Sequence, residues 1–368
     1  MTAESGNSAR IDGQAAALPE AMGRAAELLA SSRQPLVTGL STDVAGARAA
    51  LALAAVTGSV IDHAGGEATM CLARPLQDGG GFVVTPGEMR ARADSVLVIG
   101  PSALHLMPGM AEALAAAPPL ALVAGPRRVL QINAGAGPLA GAELAEFPGL
   151  SPLALVSLMG ARARGHHVNV AATTLTETDR VVAWLAAAHY GVIIFNPLEL
   201  GAPGVEALFR LATQLNRATR FSTLPLVLSA SAETFKTVCL WTTGFPGRVN
   251  FATGAPAYDP ELFDPKRMVA SGEADLVLGI DSFGEGLGVP DHTMAQILLA
   301  PSLSGAAKPP DVFIPIGEPG RDHAGVMFDP AIGTLRAMPA LAPSPRPSAA
   351  AMLETLRALA LRKGGAPC

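Results

Sequence analysis

Two hydrophobic periods alternate along this chain. Runs of four to six apolar residues, each ending in Gly, Asn or Asp, recur between longer stretches whose apolar residues lie three and four apart. The runs have the pattern of strands buried on both faces of a parallel sheet, and the longer stretches that of amphipathic helices. Leu18–Ser32 predicts a helix with Pro19 in its first turn, where the missing N–H does no harm. Pro35–Thr38, Val60–Ile61, Ser95–Ile99, Leu120–Val123 and Val129–Ile132 then predict strands, with helices over Val44–Ala55 and around Gly87–Ala93. A second series starts near Leu153, with helices over Thr178–His189 and Val205–Ala218 and a strand at Gly191–Phe195. Leu224–Leu228, Ala274–Gly279, Ile297–Ala300 and Asp311–Ile316 predict further strands. The Pro-rich stretch Ala342–Ser348 predicts a linker before a closing helix, Met352–Arg362. Residues 1–17 are small and polar and predict a frayed tail.

Strands and helices in alternation predict an α/β fold of two Rossmann-like, doubly wound domains in tandem. A chain of 368 residues suits that number and can bury a substantial core. Hydrophobic residues make up 49% and charged residues 15%, a globular balance. The net charge of −5, with no basic cluster, gives nucleic acid and anionic membrane surfaces no electrostatic purchase. A membrane helix needs about 20 consecutive apolar residues. The longest apolar stretch, Val96–Gly125, is interrupted by Pro101, Pro108, Glu112, Pro118 and Pro119. The polar N-terminus has no signal-peptide pattern, and the cysteines are few, so a cytoplasmic location is expected.

The motifs of common catalysts are missing. No G-x-G-x-x-G follows a strand; Gly279–Gly288 is glycine-rich with the wrong spacing, and there is no P-loop and no G-x-S-x-G elbow. The histidines are His63, His105, His166, His167, His189, His292 and His323, and none makes a metal-ligand spacing. Asp62–His63, Asp291–His292 and Asp322–His323 read as turn pairs. Cys71, Cys239 and Cys368 stand far apart, and Cys239 lies in an apolar stretch that predicts core.

One segment is specific. Trp241–Tyr258 reads W-x-T-G-F-P-x-x-V-N-F-x-x-G-x-P-x-Y, two Gly/Pro turns around the apolar Val249-Asn250-Phe251. Thr85–Asp94 adds T-x-G-E-x-x-x-R-A-D, a capped helix running into a strand. These segments resemble the B subunits of formylmethanofuran dehydrogenases, which carry a tungsten or molybdenum pterin and an iron–sulfur cluster. Such a cluster needs four thiolates, and this chain has three cysteines. The resemblance implies domains like those of formate dehydrogenase and DMSO reductase, without the iron–sulfur domain. It sets a first domain at 18–152 completed by 301–341, an inserted second domain at 153–300, and a linker with a C-terminal helix at 342–368. It also implies a loop after Val60-Ile61-Asp62 that bears Cys71, and marks Cys71, His105 and Asp281 as remnants of a cofactor pocket, with no catalytic residue, metal or cofactor retained. The polar residues expected around His105 are Leu and Met here, and Leu104–Met110 is expected as contact surface.

A dehydrogenase-like chain of this type without thiolates is similar to the B-subunit family of bacterial formyltransferase/hydrolase complexes in methylotrophs. That similarity implies a scaffold for an amidohydrolase-like A, a β-helical C and a formyltransferase D subunit. Together they would convert formyl-tetrahydromethanopterin to formate through a methanofuran-type carrier. Two rivals are a cluster-free molybdenum or tungsten enzyme with Cys71 as ligand, and a thiamine-diphosphate-type domain, which Pro35–Ala64 resembles but which lacks its G-D-G motif.

Overall fold

The computed structural model describes residues 8–102, 109–135, 137–226, 229–303 and 309–364. The chain divides into two compact units: Met1–Thr69, Ser229–Phe328 and Leu335–Cys368 form the first, Met70–Leu228 and Asp329–Thr334 the second. The inserted segment expected at 153–300 stands beside an observed unit that begins at Met70 and ends its main segment at Leu228.

Among the described residues the strands begin with β1 (Ala9–Ile11), β2 (Gln14–Ala16), β3 (Pro35–Ser41) and β4 (Val60–Ile61). β5 (Ser95–Ile99), β6 (Arg128–Ile132), β7 (Glu143–Ala145), β8 (Tyr190–Phe195) and β9 (Arg220–Pro225) belong to the second unit. β10 (Val249–Asn250), β11 (Ala257–Tyr258), β12 (Leu276–Asp281), β13 (Ala295–Ala300) and β14 (Val312–Pro315) follow, and β15 (Gly325–Asp329) with β16 (Thr334–Met338) makes a separate ribbon.

The first unit's sheet has the order β11-β10-β4-β3-β12-β13-β14-β1-β2. Its centre, β4 to β14, is parallel, and antiparallel strands flank it on both sides. Side chains alternate between the faces with the two-residue period of a strand. Val37, Leu278, Ile280, Ile297 and Val312 face the helices Leu18–Ser31, Val44–Thr57, Ala230–Thr243 and Ala349–Gly364. Leu36, Val60 and Val277 face the short helix Pro265–Ser271 through Met268.

The second unit's sheet is parallel throughout, in the order β7-β6-β5-β8-β9. Leu97, Ile99, Ile193 and Phe195 pack under the helices Pro152–Ala163, Ala172–Ala186 and Pro197–Leu215. Val96, Val98, Val192 and Ile194 pack on the other face, under Pro86–Arg92 and Met110–Ala115. Gly191 breaks the alternation for a reason: a Cβ there would stand 2.1 Å from the buried ring of Phe221 on the neighbouring strand. Gly191→Ala is therefore expected to destabilise by about 1–3 kcal/mol through overpacking. Phe221→Leu in the same chain should return part of the loss, as read by urea unfolding midpoints.

Four expectations need correction. Leu120–Val123 forms no strand; Leu120, Leu122 and Val123 are more than half exposed in a loop between Pro119 and Pro126. Pro supplies no ladder donor, and an apolar run bracketed by prolines does not enter the sheet. Residues 9–16, expected in the frayed tail, form the hairpin β1–β2, which pairs with β14 through Arg10↔Phe313 and Ile11↔Val312. The loop expected around Cys71 is the helix Gly66–Gly79, which continues past Pro75. Met110, expected as contact surface, is buried at 1% exposure under β5, and residues 104–108 lie outside the described residues.

Candidate functional site

The Trp241–Tyr258 motif works as a clip on the first unit's sheet. The helix Ala230–Thr243 ends at Gly244, whose φ of 83° is the left-handed cap that glycine takes at least strain. Thr243 Oγ1 accepts the Phe245 N–H at 3.1 Å, and the Phe245 and Tyr258 rings stack 5.0 Å apart, 8° from parallel. Val249 and Asn250 then pair antiparallel with Ile61 and Val60 of β4, and Asn250 Oδ1 closes the next turn on the Ala252 N–H at 2.8 Å. Trp241 remains 63% exposed.

The clip delivers Arg248 to the carboxyl end of β4. Arg248 holds a left-handed backbone, φ 49°, is 5% exposed, and sets Nε 3.5 Å from Oδ2 of Asp62, which is 1% exposed. Its Nη2 reaches Glu67 at 3.2 Å and Asp264 at 3.3 Å, and Nη1 donates to the Pro260 carbonyl. The Asp62 carboxylate is pressed between two glycine backbones. A Cβ at Gly66 would stand 2.2 Å from Oδ2, and one at Gly247 2.5 Å from Oδ1. Burial pushes the Asp62 carboxyl up to about 7, against the Arg248 charge and the N–H groups of His63 and Arg248, which favour the anion.

His63 turns the other way, against Phe235, at a ring distance of 5.5 Å. Its Nε2 bonds Thr69 Oγ1 at 3.1 Å. Burial, then the charges of Lys236 and Arg248, push its pKa down to about 3, so it stays neutral near pH 7. Asp62 Oδ1, His63 Nδ1 and Arg248 Nε have no hydrogen-bond partner among the described residues, although Arg248 Nε keeps its ion-pair distance to Asp62. Groups exposed by 1%, 3% and 5% do not meet a substrate in this conformation, so the cluster pins the chain where it leaves β4. The sequence alone reads Asp62–His63 as a turn pair. The signal available was Gly65-Gly66 and Gly247 on either side of charged residues, small backbone placed where a side chain must come close.

Cys71 is buried in the helix Gly66–Gly79 and belongs to the second unit. Asp281 ends β12 in the first unit, and its carboxylate accepts the N–H groups of Glu285 at 2.9 Å and Gly286 at 3.0 Å, spending both oxygens on the following turn. His105 and Cys368 lie outside the described residues. Cys239 is core as expected, and burial pushes its thiol up to about 12, far from the thiolate a metal requires. Among the described residues no three His, Cys, Asp or Glu side chains are grouped to hold a metal ion.

None of the protein-family models matches this sequence. The chain is 33% identical over 369 residues to the B subunit of the formyltransferase/hydrolase complex Fhc of Methylorubrum extorquens, covering 96% of this chain and 98% of that one. It is 26% identical over 276 residues to the B subunit of the tungsten-containing formylmethanofuran dehydrogenase 2 of Methanocaldococcus jannaschii, covering 70% of this chain and 62% of that one. Among solved structures it is similar to a chain of the formyltransferase/hydrolase complex FhcABCD from Methylorubrum extorquens, crystallised with methylofuran. The TM-score is 0.87 at 31% identity, over 97% of this chain and 99% of that one.

Proposed function

The chain belongs to the B-subunit family of formyltransferase/hydrolase complexes, and from that membership we propose that it is a structural, non-catalytic component of such a complex. In this reading the complex takes formyl groups from formyl-tetrahydromethanopterin to a methanofuran-type carrier and releases formate, in cytoplasmic one-carbon oxidation. An amidohydrolase-like subunit hydrolyses, a formyltransferase subunit transfers, and a β-helical subunit shares the scaffold. In the same reading the two units are Rossmann-like domains of the dehydrogenase type.

The observation that carries this reading is the closed cluster at the carboxyl end of β4, where Arg248 faces Asp62 and the neutral His63 turns to Thr69, all out of reach of solvent. Three cysteines, two of them buried, also fall short of the four thiolates of a cluster. The rival tungsten or molybdenum enzyme is not favoured, since the formyltransferase/hydrolase relative matches over nearly its whole length and the tungsten-containing one over 62%. The scaffold needs surface for partners, and two sets of exposed apolar residues suit it: Leu120, Leu122 and Val123 in the second unit, Leu240 and Trp241 in the first. No helix among the described residues is long and apolar enough to cross a membrane. Formyl-group turnover by the purified chain alone, compared with turnover by the assembled complex, tests the proposal.

A further inference from the structure

In the order β7-β6-β5-β8-β9 the chain steps outward from β5 to β6 and β7, then crosses back to β8 on the other side of β5 and steps outward to β9. The carboxyl ends of β5 and β8 therefore border the crevice at which open α/β sheets bind ligands. A cavity of about 300 Å³ lies there, within the second unit and at the small end of the ligand-pocket range. Ile99, Pro101, Pro152, Leu155 and Leu200 make its walls apolar. Among the described residues one charged side chain lines it, Glu199, beside the polar Asn133, and no cationic one does.

Glu199 is fixed by the backbone around it. Its Oε2 lies 2.0 Å from the position a Cβ at residue 100 would occupy, so Gly100, at φ +88°, admits the carboxylate where no other residue could. Oε1 accepts the Ser102 N–H at 3.3 Å, and Asn196 Nδ2 holds the Ser102 hydroxyl at 2.8 Å. An acid in a first helical turn is ordinarily balanced by the aligned amides behind it. Here the turn that starts at Pro197 is cut off at Gly201, whose φ of 63° and ψ of 166° break the axis before the longer helical stretch. A carboxylate in a largely apolar crevice, accepting the neutral Ser102 N–H, directs its field at whatever enters.

The geometry points to a binding site for a small organic cation: a primary ammonium on an apolar body, the ammonium against Glu199 and the body against Leu155, Leu200 and Pro152. An anion of the same shape would face the carboxylate with no cationic side chain among the described residues to offset it. Calorimetric titration of the full chain with benzylammonium, benzyl alcohol and benzoate tests this. Benzylammonium is expected to bind saturably, the alcohol at least about tenfold more weakly, and benzoate not at all. Glu199→Gln, which keeps an acceptor for the Ser102 N–H and should melt with the parent, is expected to bind benzylammonium no better than the alcohol. Methyl chemical shifts of Leu155 and Leu200 in the unsubstituted chain give a readout free of mutation, and both should move on titration. Equal binding of the three probes, affinity that survives Glu199→Gln, no saturable binding, or shifts confined to other methyls would each overturn the site.

Discussion

Arg248→Met should lower stability by about 3–5 kcal/mol at pH 8, because it leaves the Asp62 carboxylate buried at 1% exposure with no cation to face it. The loss should shrink at pH 5, where a proton can take the place of Arg248. Burial already holds the Asp62 pKa near 7, and removing Arg248 raises it further. Asp62→Asn also destabilises, since Arg248 then keeps only the more exposed Glu67 and Asp264. The double variant should recover about 1–3 kcal/mol relative to the sum of the single changes, the coupling expected of a pair in contact. Chemical denaturation of the four proteins at both pH values gives the cycle, and strict additivity would mean that the pair is not coupled.

The second large effect is an opposition of slopes with pH. A carboxyl raised from 3.8 to about 7 binds its proton more tightly in the folded chain. Its contribution to stability is complete below pH 3.8 and is lost as the pH rises toward 7. His63, lowered from 6.5 to about 3, contributes fully above pH 6.5 and loses that contribution as the pH falls toward 3. Between about pH 4 and 6.5 the folded state holds its proton on Asp62 and the unfolded state on His63, so the two slopes cancel. The charged groups facing the pair are Arg248, Glu67 and Asp264 around Asp62, and Lys236 and Arg248 near His63. Relative to the parent, Asp62→Asn is expected to gain stability as the pH rises through this window, by up to ~1.4 kcal/mol per unit. His63→Gln should lose stability over the same window by a similar slope. Urea midpoints at half-unit steps give both slopes, and two slopes of the same sign would contradict the assignment.

The strands at Pro35–Ser41, Ser95–Ile99 and Leu276–Asp281 were legible in the sequence because each is buried on both faces and reads as a continuous apolar run. Thr85–Asp94 was legible because its chemistry is local. Thr85 Oγ1 caps the Glu88 N–H at 3.2 Å within one turn, whereas the bond of Asp94 to the Tyr190 N–H at 2.9 Å reaches a distant strand and was not legible. Leu120–Val123 misled because an apolar run does not say whether a sheet edge is there to receive it. β1 and β2 were missed because three-residue strands made largely of Ala, Arg and Gln carry no alternation to detect. The Asp62–Arg248 pair was out of reach for a different reason. Its partners come from distant parts of the chain, and only the pairing of β10 with β4 brings them together. Thus the motif that identified the family could be recognised before its task, delivering a buried cation to a buried acid, could be seen.

The central claim is that this chain supports chemistry done by its partners. The most direct test is tungsten and molybdenum content together with formyl-group turnover, measured on the purified chain alone and on the complex isolated through it. The account predicts no turnover by the isolated chain, no stoichiometric tungsten or molybdenum in either sample, and formyl transfer and hydrolysis in the complex. Tungsten or molybdenum near one per chain, or turnover by the isolated chain, would contradict it and make this polypeptide an enzyme in its own right.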